Sequence, residues 1–195
     1  MSHIFKKCDN LDKSFYQPVS ILVITNRVLE DIIANQLTVY FSDLLCKFLY
    51  AFRKGYGCQD VLTRLVEDFR KAMDKGMYVG CVLIDLSKAF DCLPHKLLLA
   101  KLRAYGVSMK ACSLFRSYLS NRFQRVKIGS ARSEWLQTQK GVPQGSVLGP
   151  ILFNIFINDI FSYLRGPCTL YNYANDNTIG YRGENLQTVL TVLSE

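Results

Sequence analysis

A short apolar run that ends at a carboxylate is the feature that most constrains this chain. Residues 78–84 read YVGCVLI, are rich in strand-forming side chains and lead directly into Asp85. The pattern predicts a buried strand. A carboxylate at the end of such a strand is costly unless it faces a cleft, accepts hydrogen bonds or binds a metal ion. Asp85 is therefore either a functional group or a residue that ends the strand and caps the next element.

A loop rich in glycine and proline precedes the longest apolar segment. Residues 141–150 read GVPQGSVLGP, a composition that forces a defined turn and lets the backbone approach a flat ligand closely. An ordinary turn explains the same composition. The apolar segment 147–164 predicts a helix but not a membrane span, because a proline, two asparagines and an aspartate interrupt it.

Two short strands are predicted at 168–174 and 177–181, and a polar pair joins them. Asn175 and Asp176 would form the tip of this hairpin. Both residue types tolerate the left-handed backbone conformation of tight turns, so an ordinary turn is one interpretation. A polar pair presented to a ligand is the other.

Helices are predicted from apolar residues at helical spacing. The most regular stripe lies within 59–75, is interpreted as core, and ends at Gly76, a residue that suits the position just after a helix. Three further helices are predicted to begin at Thr25, Pro94 and Ser108. The apolar stripe of the first consists of Leu29, Ile32, Ile33 and Leu37.

The order of the elements predicts the fold class. Residues 122–128 and 133–140 predict a second hairpin, in which Trp135 is interpreted as a packing residue rather than a base-stacking platform. Helices and hairpins follow each other without regular βαβ alternation. The predicted class is therefore α+β.

Charge and cysteine content limit the partners and the compartment. Lys and Arg number 24 against 16 Asp and Glu, a net charge of +8 that favours a polyanionic partner, either nucleic acid or an acidic membrane. The seven cysteines are scattered without a C-x-x-C pair, which argues against a zinc ribbon or a disulfide scaffold and favours reduced thiols in the cytosol or nucleus. Residues 1–10 contain no apolar stretch of signal-peptide length.

Several segments, in this order, resemble the reverse transcriptase domain of non-long-terminal-repeat (LINE-type) retrotransposons, especially the jockey-like elements. The resemblance runs from about Tyr16 to the end of the chain. Its last three groups correspond to the family's motifs A, B and C. The matching segments are 52–60 (FRKGYGCQD), 84–91 (IDLSKAFD), 141–150 with 153–159 (FNIFIND), and 173–176 (YAND).

The resemblance implies a right-hand polymerase and its partners. Residues 1–76 would be fingers-like, and residues 77–195 would be a palm-like part with an antiparallel sheet packed on helices, ending before the thumb. Such enzymes copy an RNA template by extending a DNA primer with deoxynucleotides, and they use two Mg²⁺ ions. Nucleic acid rather than membrane becomes the expected partner, and the nucleus or cytoplasm, not secretion, the expected location.

The resemblance also implies roles for individual residues. By the family's pattern Asp85 and Asp176 are the metal ligands and, with the motif C position Asn175, form the catalytic set. The ring of Phe90 would lie under the incoming sugar and exclude a 2′-hydroxyl. The other implied substrate contacts are the backbone amides of Leu86 and Ser87 at the triphosphate, Gln144 and Gly145 in the nucleotide pocket, and Arg53 and Lys54 at phosphates, although a basic loop is also typical of a solvated turn.

Motif C departs from the family's Tyr-x-Asp-Asp at its first aspartate. Asn175 keeps one oxygen donor but lacks the negative charge and the second carboxylate oxygen. This loss, together with the missing thumb-like region, predicts a polymerase with little or no activity.

Two alternatives to a polymerase domain stay open. One is a non-enzymatic nucleic-acid-binding remnant that uses the net charge and the basic residues Arg116, Arg122, Arg125 and Lys127. Its binding would fall steeply with salt and would need no Mg²⁺. The other is a fragment that folds poorly and has no role.

Overall fold

Helices and antiparallel strands alternate irregularly along the chain in this computed structural model, which describes residues 2–5, 16–20, 24–86, 88–164 and 167–194. The described helices are α1 (Ile24–Phe41), α2 (Cys58–Met73), α3 (His95–Ala104), α4 (Met109–Leu119), α5 (Leu148–Ile157) and α6 (Leu186–Ser194). The described strands are β1 (Ser2–Phe5), β2 (Tyr16–Val19), β3 (Tyr78–Asp85), β4 (Arg122–Gln124), β5 (Lys127–Ile128), β6 (Ala131–Arg132), β7 (Leu136–Thr138), β8 (Thr169–Tyr173) and β9 (Asp176–Gly183). The predicted α+β class is confirmed.

Two compact units divide the chain, and each is built from two stretches. The first unit takes 1–44 and 88–156, and the second takes 45–87 and 157–195. The division into fingers-like and palm-like parts at residue 76 stays a prediction, because these units follow spatial contact and not motif content.

The second unit is organised around a three-stranded antiparallel sheet in the order β3-β9-β8. Helix α2 packs on β3 and β8, and helix α6 packs on β3 and β9. A Cβ atom at Gly80 would lie 2.6 Å from Val189 Cγ1, so only glycine lets α6 approach β3 this closely. The Tyr171 hydroxyl donates to Asp68 Oδ2 at 2.8 Å, tying β8 to α2. Burial and this hydrogen bond raise the pKa of Tyr171 to about 12, so its hydroxyl keeps its proton at neutral pH.

Strand β3 forms as predicted, but the prediction that it is buried is wrong. Val82, Leu83 and Ile84 are all exposed, Leu83 to 77%. Within the described residues β3 pairs only with β9, so it forms an edge of the sheet. Its apolar composition indicated the strand correctly but could not show which sheet face or edge would be covered.

The predicted apolar stripes of α1 and α2 are partly wrong. In α1 the buried residues are Glu30, Ala34, Leu37 and Phe41, and the predicted stripe members Leu29 and Ile32 are exposed. In α2 the apolar residues Leu62, Val66 and Met73 of the predicted stripe are exposed, and Val61 and Ala72 are the buried residues. In α1 apolar residues lie around the whole helix, and in α2 they form one broad face of which only part is covered, so the sequence pattern did not identify the buried residues.

Of the helix signals in the first unit, those at 94–108 are confirmed, but the prediction that Thr25 caps α1 is wrong, because Thr25 is the second residue of that helix. Pro94 is the N-cap of α3, Gly106 ends the turn after it with a φ of +87°, and the Ser108 hydroxyl accepts from the Ala111 amide at 3.3 Å. The helix predicted over 147–164 is shorter: α5 ends at Ile157 and a 3₁₀ segment continues to Ser162. No helix in the described ranges combines the length and apolar content that crossing a bilayer requires.

The hairpin predicted at 122–140 forms as two short ladders. Strand β4 pairs with β7, and β5 pairs with β6 nearer the tip. The prediction that Trp135 is a packing residue is wrong, because its side chain is 56% exposed.

Candidate active site

Two carboxylates face each other across the end of the second unit's sheet. The antiparallel register of β3 and β9 places Asp85 directly opposite Asp176, and both residues are exposed. Cross-strand neighbours of this kind have Cβ atoms about 4.5–5.5 Å apart. Asn175 immediately precedes Asp176, in the tight turn that joins β8 to β9. The structure therefore brings together the three residues that the sequence assigned to one site.

A hydrogen bond joins the substituted residue to the first carboxylate. Asn175 Nδ2 donates to Asp85 Oδ1 at 2.7 Å, across 90 positions of sequence. The Leu86 amide donates to the Asn175 carbonyl at 3.2 Å, which ties the end of β3 to the same turn. An aspartate at position 175 would set a second carboxylate against Asp85, which is repulsive unless a cation lies between them. The Asn175 amide instead gives the Asp85 carboxylate a hydrogen-bond donor, so the two side chains can lie together without a cation.

Two buried asparagines hold the turn from behind. Asn172 Nδ2 donates to the Ala174 carbonyl and to Asn177 Oδ1, both at 2.9 Å, and Asn177 Nδ2 donates to the Asn175 carbonyl at 3.0 Å. Ala174 adopts a φ of +55°, which is unfavourable for a residue with a Cβ, so these bonds stabilise a strained turn. Sequence analysis missed this pair. Sequence offered only a weak signal for it, an asparagine between two tyrosines in the strand predicted at 168–174.

Replacing Asn172 is expected to loosen this turn. Asn172→Ala removes both donated bonds and leaves the Ala174 carbonyl and Asn177 Oδ1 without that donor, which should lower the free energy of unfolding by about 1–3 kcal/mol. Urea unfolding followed by circular dichroism measures the loss. Thr178→Ala, which changes the residue after Asn177 on β9 and leaves the asparagine pair intact, serves as the control. An equal loss in both variants would contradict a special role for the pair.

Three predicted substrate contacts lie in the first unit. The glycine-rich loop is bonded to the segment that contains Phe90: the Val142 amide donates to the Phe90 carbonyl at 2.8 Å. The Phe90 ring stacks on Phe153 with centroids 4.7 Å apart. In the same loop the Gln144 carbonyl accepts from the Ser20 amide at 2.8 Å, and Gly145 adopts a φ of +98°. Phe90 and the loop that carries Gln144 and Gly145 are thus neighbours within one unit.

A buried carboxylate fixes the end of that loop. Glu30 is 2% exposed and accepts from the Val147 amide at 2.7 Å and from the Tyr118 hydroxyl at 2.9 Å. It lies at the N-terminus of α5, where a negative charge is favourable. Burial, with a smaller contribution from the charge of Glu30, raises the pKa of Tyr118, so the hydroxyl stays a donor. Sequence analysis missed Glu30 because it read α1 as an apolar stripe.

The remaining predicted substrate contacts are the phosphate contacts Arg53 and Lys54 and the triphosphate contact Ser87. Arg53 donates to the Cys46 and Leu49 carbonyls at 2.8 and 3.2 Å, so part of its guanidinium stabilises its own loop. Lys54 is exposed. Ser87 lies outside the described residues.

A histidine at the start of α3 also contacts the loop. The His95 ring nitrogen Nε2 is 2.7 Å from the Gly141 carbonyl oxygen. Its position at the start of α3 makes it part of the support for the loop that contains Gln144.

The oxygen atoms of these three side chains suit a hard divalent cation, but they carry less negative charge than three carboxylates would. Asp85 and Asp176 offer carboxylate oxygens and Asn175 offers one amide oxygen, and Mg²⁺ is commonly held by one or two carboxylates together with substrate phosphates. Within the described residues no group of three or more His, Cys, Asp or Glu side chains could hold a metal ion. The residues therefore fit a cation held jointly with substrate, with one negative charge fewer than a three-carboxylate site.

Comparison with known proteins gives consistent matches across the chain. Residues 5–195 match the family model described as reverse transcriptase (RNA-dependent DNA polymerase). The chain is similar to the RNA-directed DNA polymerase from mobile element jockey of Drosophila funebris, at 32% identity over 85% of this chain and 19% of that protein. It is also 32% identical to the probable RNA-directed DNA polymerase from transposon BS of Drosophila melanogaster, over 92% of this chain and 21% of that protein. The chain spans about a fifth of the length of these relatives.

A solved structure shares the fold. An apo telomerase from Candida tropicalis, truncated from its C-terminal domain, superposes with a TM-score of 0.55 at 17% identity, covering 86% of this chain and 35% of that one. At this identity the likeness concerns the fold alone.

Proposed function

Because the chain belongs to the reverse transcriptase (RNA-dependent DNA polymerase) family, we propose that it is the catalytic part of a retrotransposon polymerase whose metal site is weakened by Asn175. The observation that carries the proposal is the convergence of Asp85, Asp176 and Asn175 at one end of the sheet, with the 2.7 Å bond between Asn175 and Asp85. The reaction is extension of a DNA primer on an RNA template with deoxynucleotides.

In this proposal Asp85 and Asp176 would hold the divalent cations, expected to be Mg²⁺. When bound, such ions activate the primer hydroxyl and neutralise charge on the triphosphate. The Asn175 side chain orients Asp85 through their hydrogen bond, but it adds no negative charge. Cation affinity should therefore be lower than in a site with three carboxylates.

The proposal also assigns residues that contact the nucleotide and the nucleic acid. The stacking of Phe90 on Phe153 supports its role, because a ring held in one orientation can exclude a 2′-hydroxyl by steric conflict. Gln144 and Gly145 would line the nucleotide pocket; in support, Glu30 and His95 hold the two ends of their loop. The other contacts in the proposal are the backbone amide of Ser87 at the triphosphate and the side chains of Arg53 and Lys54 at phosphates. The Leu86 amide, expected from the sequence to contact the triphosphate, donates instead to the Asn175 carbonyl.

Primer extension tests the proposal. Oligo(dT) annealed to poly(rA) is incubated with the protein, dTTP and either Mg²⁺ or Mn²⁺, and products are resolved by length. The expected result is trace extension at most, abolished by Asp85→Asn. Extension that survives Asp85→Asn would contradict the assigned site. Vigorous Mg²⁺-dependent extension by the chain itself would contradict the weakened metal site.

A further inference from the structure

The hairpin at 122–138 turns one face towards a helix and the other towards solvent. Arg122 Nη1 donates to the Tyr118 carbonyl at 3.2 Å, and its guanidinium lies 5.1 Å from the Tyr118 ring centroid, so this side of β4 faces α4. Side chains alternate along a strand, which directs the next residue, Phe123, to the opposite side. Its ring is 59% exposed. The outer face of the hairpin is therefore defined by Phe123 and the residues that share its side.

An exposed tryptophan and a half-buried arginine continue this outer face. The Arg125 guanidinium carbon lies 4.6 Å from the centroid of the Trp135 ring. Phe123 pairs with Gln137 in the ladder. Arg125 and Trp135 come one residue beyond the last pair of that ladder, two positions from Phe123 and Gln137, so continued alternation puts them on the same side. A tryptophan that is 56% exposed forgoes much of the burial that this side chain normally gains. The Trp135 ring is thus exposed to solvent and lies next to the positive charge of Arg125.

The charge of the hairpin points to a polyanion. Between 122 and 140 the chain carries five basic residues and one acidic residue, Glu134. At the tip Lys127 is the direct cross-strand partner of Arg132, and both are exposed. Like charges directly opposite each other destabilise an antiparallel pair. An anion bound between them would relieve that repulsion.

We propose that the outer face of this hairpin binds single-stranded nucleic acid, with bases stacking on Trp135 and Phe123 and phosphates contacting Arg125 and the tip residues Lys127 and Arg132. Exposed aromatic rings interleaved with basic side chains are the combination that such ligands require. An unpaired strand is needed because only unstacked bases offer a free face to a ring. The site needs no metal ion and is independent of Asp85 and Asp176. Only the choice of nucleic acid as the partner rests on the proposed function.

The single tryptophan of the chain makes the test direct. A 20-nucleotide oligo(U) is titrated into the protein in EDTA, without nucleotides, while Trp135 fluorescence and the anisotropy of a labelled oligo(U) are recorded. Stacking predicts that fluorescence is quenched in parallel with the anisotropy rise, and that affinity falls steeply between 50 and 200 mM salt. Absence of binding, or binding that leaves Trp135 fluorescence unchanged, overturns the proposal.

Matched variants separate stacking from charge. Trp135→Leu is expected to lower affinity about tenfold or more, whereas Trp135→Phe keeps an aromatic face and should stay within a few-fold of the parent. Arg125→Gln should reduce the slope of log affinity against log salt by about 0.7, and Lys75→Gln, which removes an exposed charge after α2, should leave it unchanged. Equal loss in Trp135→Phe and Trp135→Leu, or in Arg125→Gln and Lys75→Gln, would refute this site.

Other occupants give different signals in the same experiment. A second copy of the chain would shift Trp135 emission to the blue as protein concentration rises, with a matching change in sedimentation. An acidic membrane would produce the blue shift with phosphatidylserine vesicles while oligo(U) leaves the emission unchanged. Either pattern would overturn the assignment to nucleic acid. The assay contains no divalent cation, so its failure leaves the polymerase proposal intact, and failure of primer extension leaves this site intact.

Discussion

Asn175→Asp is expected to raise primer extension by about a hundredfold or more over the parent chain. The Asn175 side chain presents Nδ2 to Asp85 Oδ1 at 2.7 Å, so a hydrogen-bond donor lies where a third carboxylate would face a cation. A misplacement of about 1 Å in reacting groups already costs roughly 10²-fold in rate, and a missing charged ligand should cost at least as much. Primer extension on poly(rA) and oligo(dT) in Mg²⁺ measures the gain.

The same substitution should make stability depend on Mg²⁺. Without a cation, the new carboxylate loses its hydrogen bond to Asp85 and repels it, so the melting temperature should fall below that of the parent. Added Mg²⁺ binds the folded state of the variant and should raise its melting temperature again, while the parent responds less. This readout does not depend on catalysis.

Asn185→Asp provides a control of equal charge. Asn185 caps the start of α6 by accepting from the Thr188 amide at 2.8 Å, and aspartate can keep that cap. The control adds one negative charge ten positions away and should leave both extension and the Mg²⁺ response unchanged. If Asn175→Asp behaves like this control in both assays, Asn175 is not the defect. A Mg²⁺ response without extension would locate the remaining defect outside the metal site.

Glu30→Ala is expected to lower the free energy of unfolding by about 2–4 kcal/mol. The substitution leaves the Val147 amide and the Tyr118 hydroxyl without their acceptor, and each unsatisfied buried donor costs about 1–3 kcal/mol. Relief from burying a carboxylate offsets part of this loss. Urea unfolding measures the change, and hydrogen exchange at Val147 and Leu148 should become faster because the start of α5 is no longer held.

Glu30→Gln separates the negative charge of the carboxylate from its hydrogen bonds and packing. Its amide oxygen can still accept from Val147, and its NH₂ group can donate to the Tyr118 hydroxyl, which is also an acceptor. We expect this variant to lose about 1 kcal/mol, well under the loss in Glu30→Ala. Equal losses in the two variants would mean that the negative charge of Glu30, and neither its volume nor its hydrogen bonds, stabilises the loop.

Local signals predicted local structure well in this chain. Pro94, Gly106 and Ser108 indicated where helices begin and end because capping and left-handed backbone conformations depend on a few adjacent residues. The apolar runs at 78–84 and 168–174 indicated strands for a similar reason. The same reasoning misjudged burial, since β3 proved to be an exposed edge and α1 buries Glu30.

The sequence by itself determined the class of elements, the family, and the order in which Asp85, Asn175 and Asp176 occur. Only the tertiary structure decided that β3 and β9 lie in the register that sets Asp85 opposite Asp176, and that Asn175 satisfies Asp85 directly. It also revealed the asparagine pair behind the turn and the open aromatic face of the hairpin. The physical reason is that capping and strand propensity act over a few neighbouring residues, whereas burial and hydrogen-bond partnership depend on residues up to 90 positions apart.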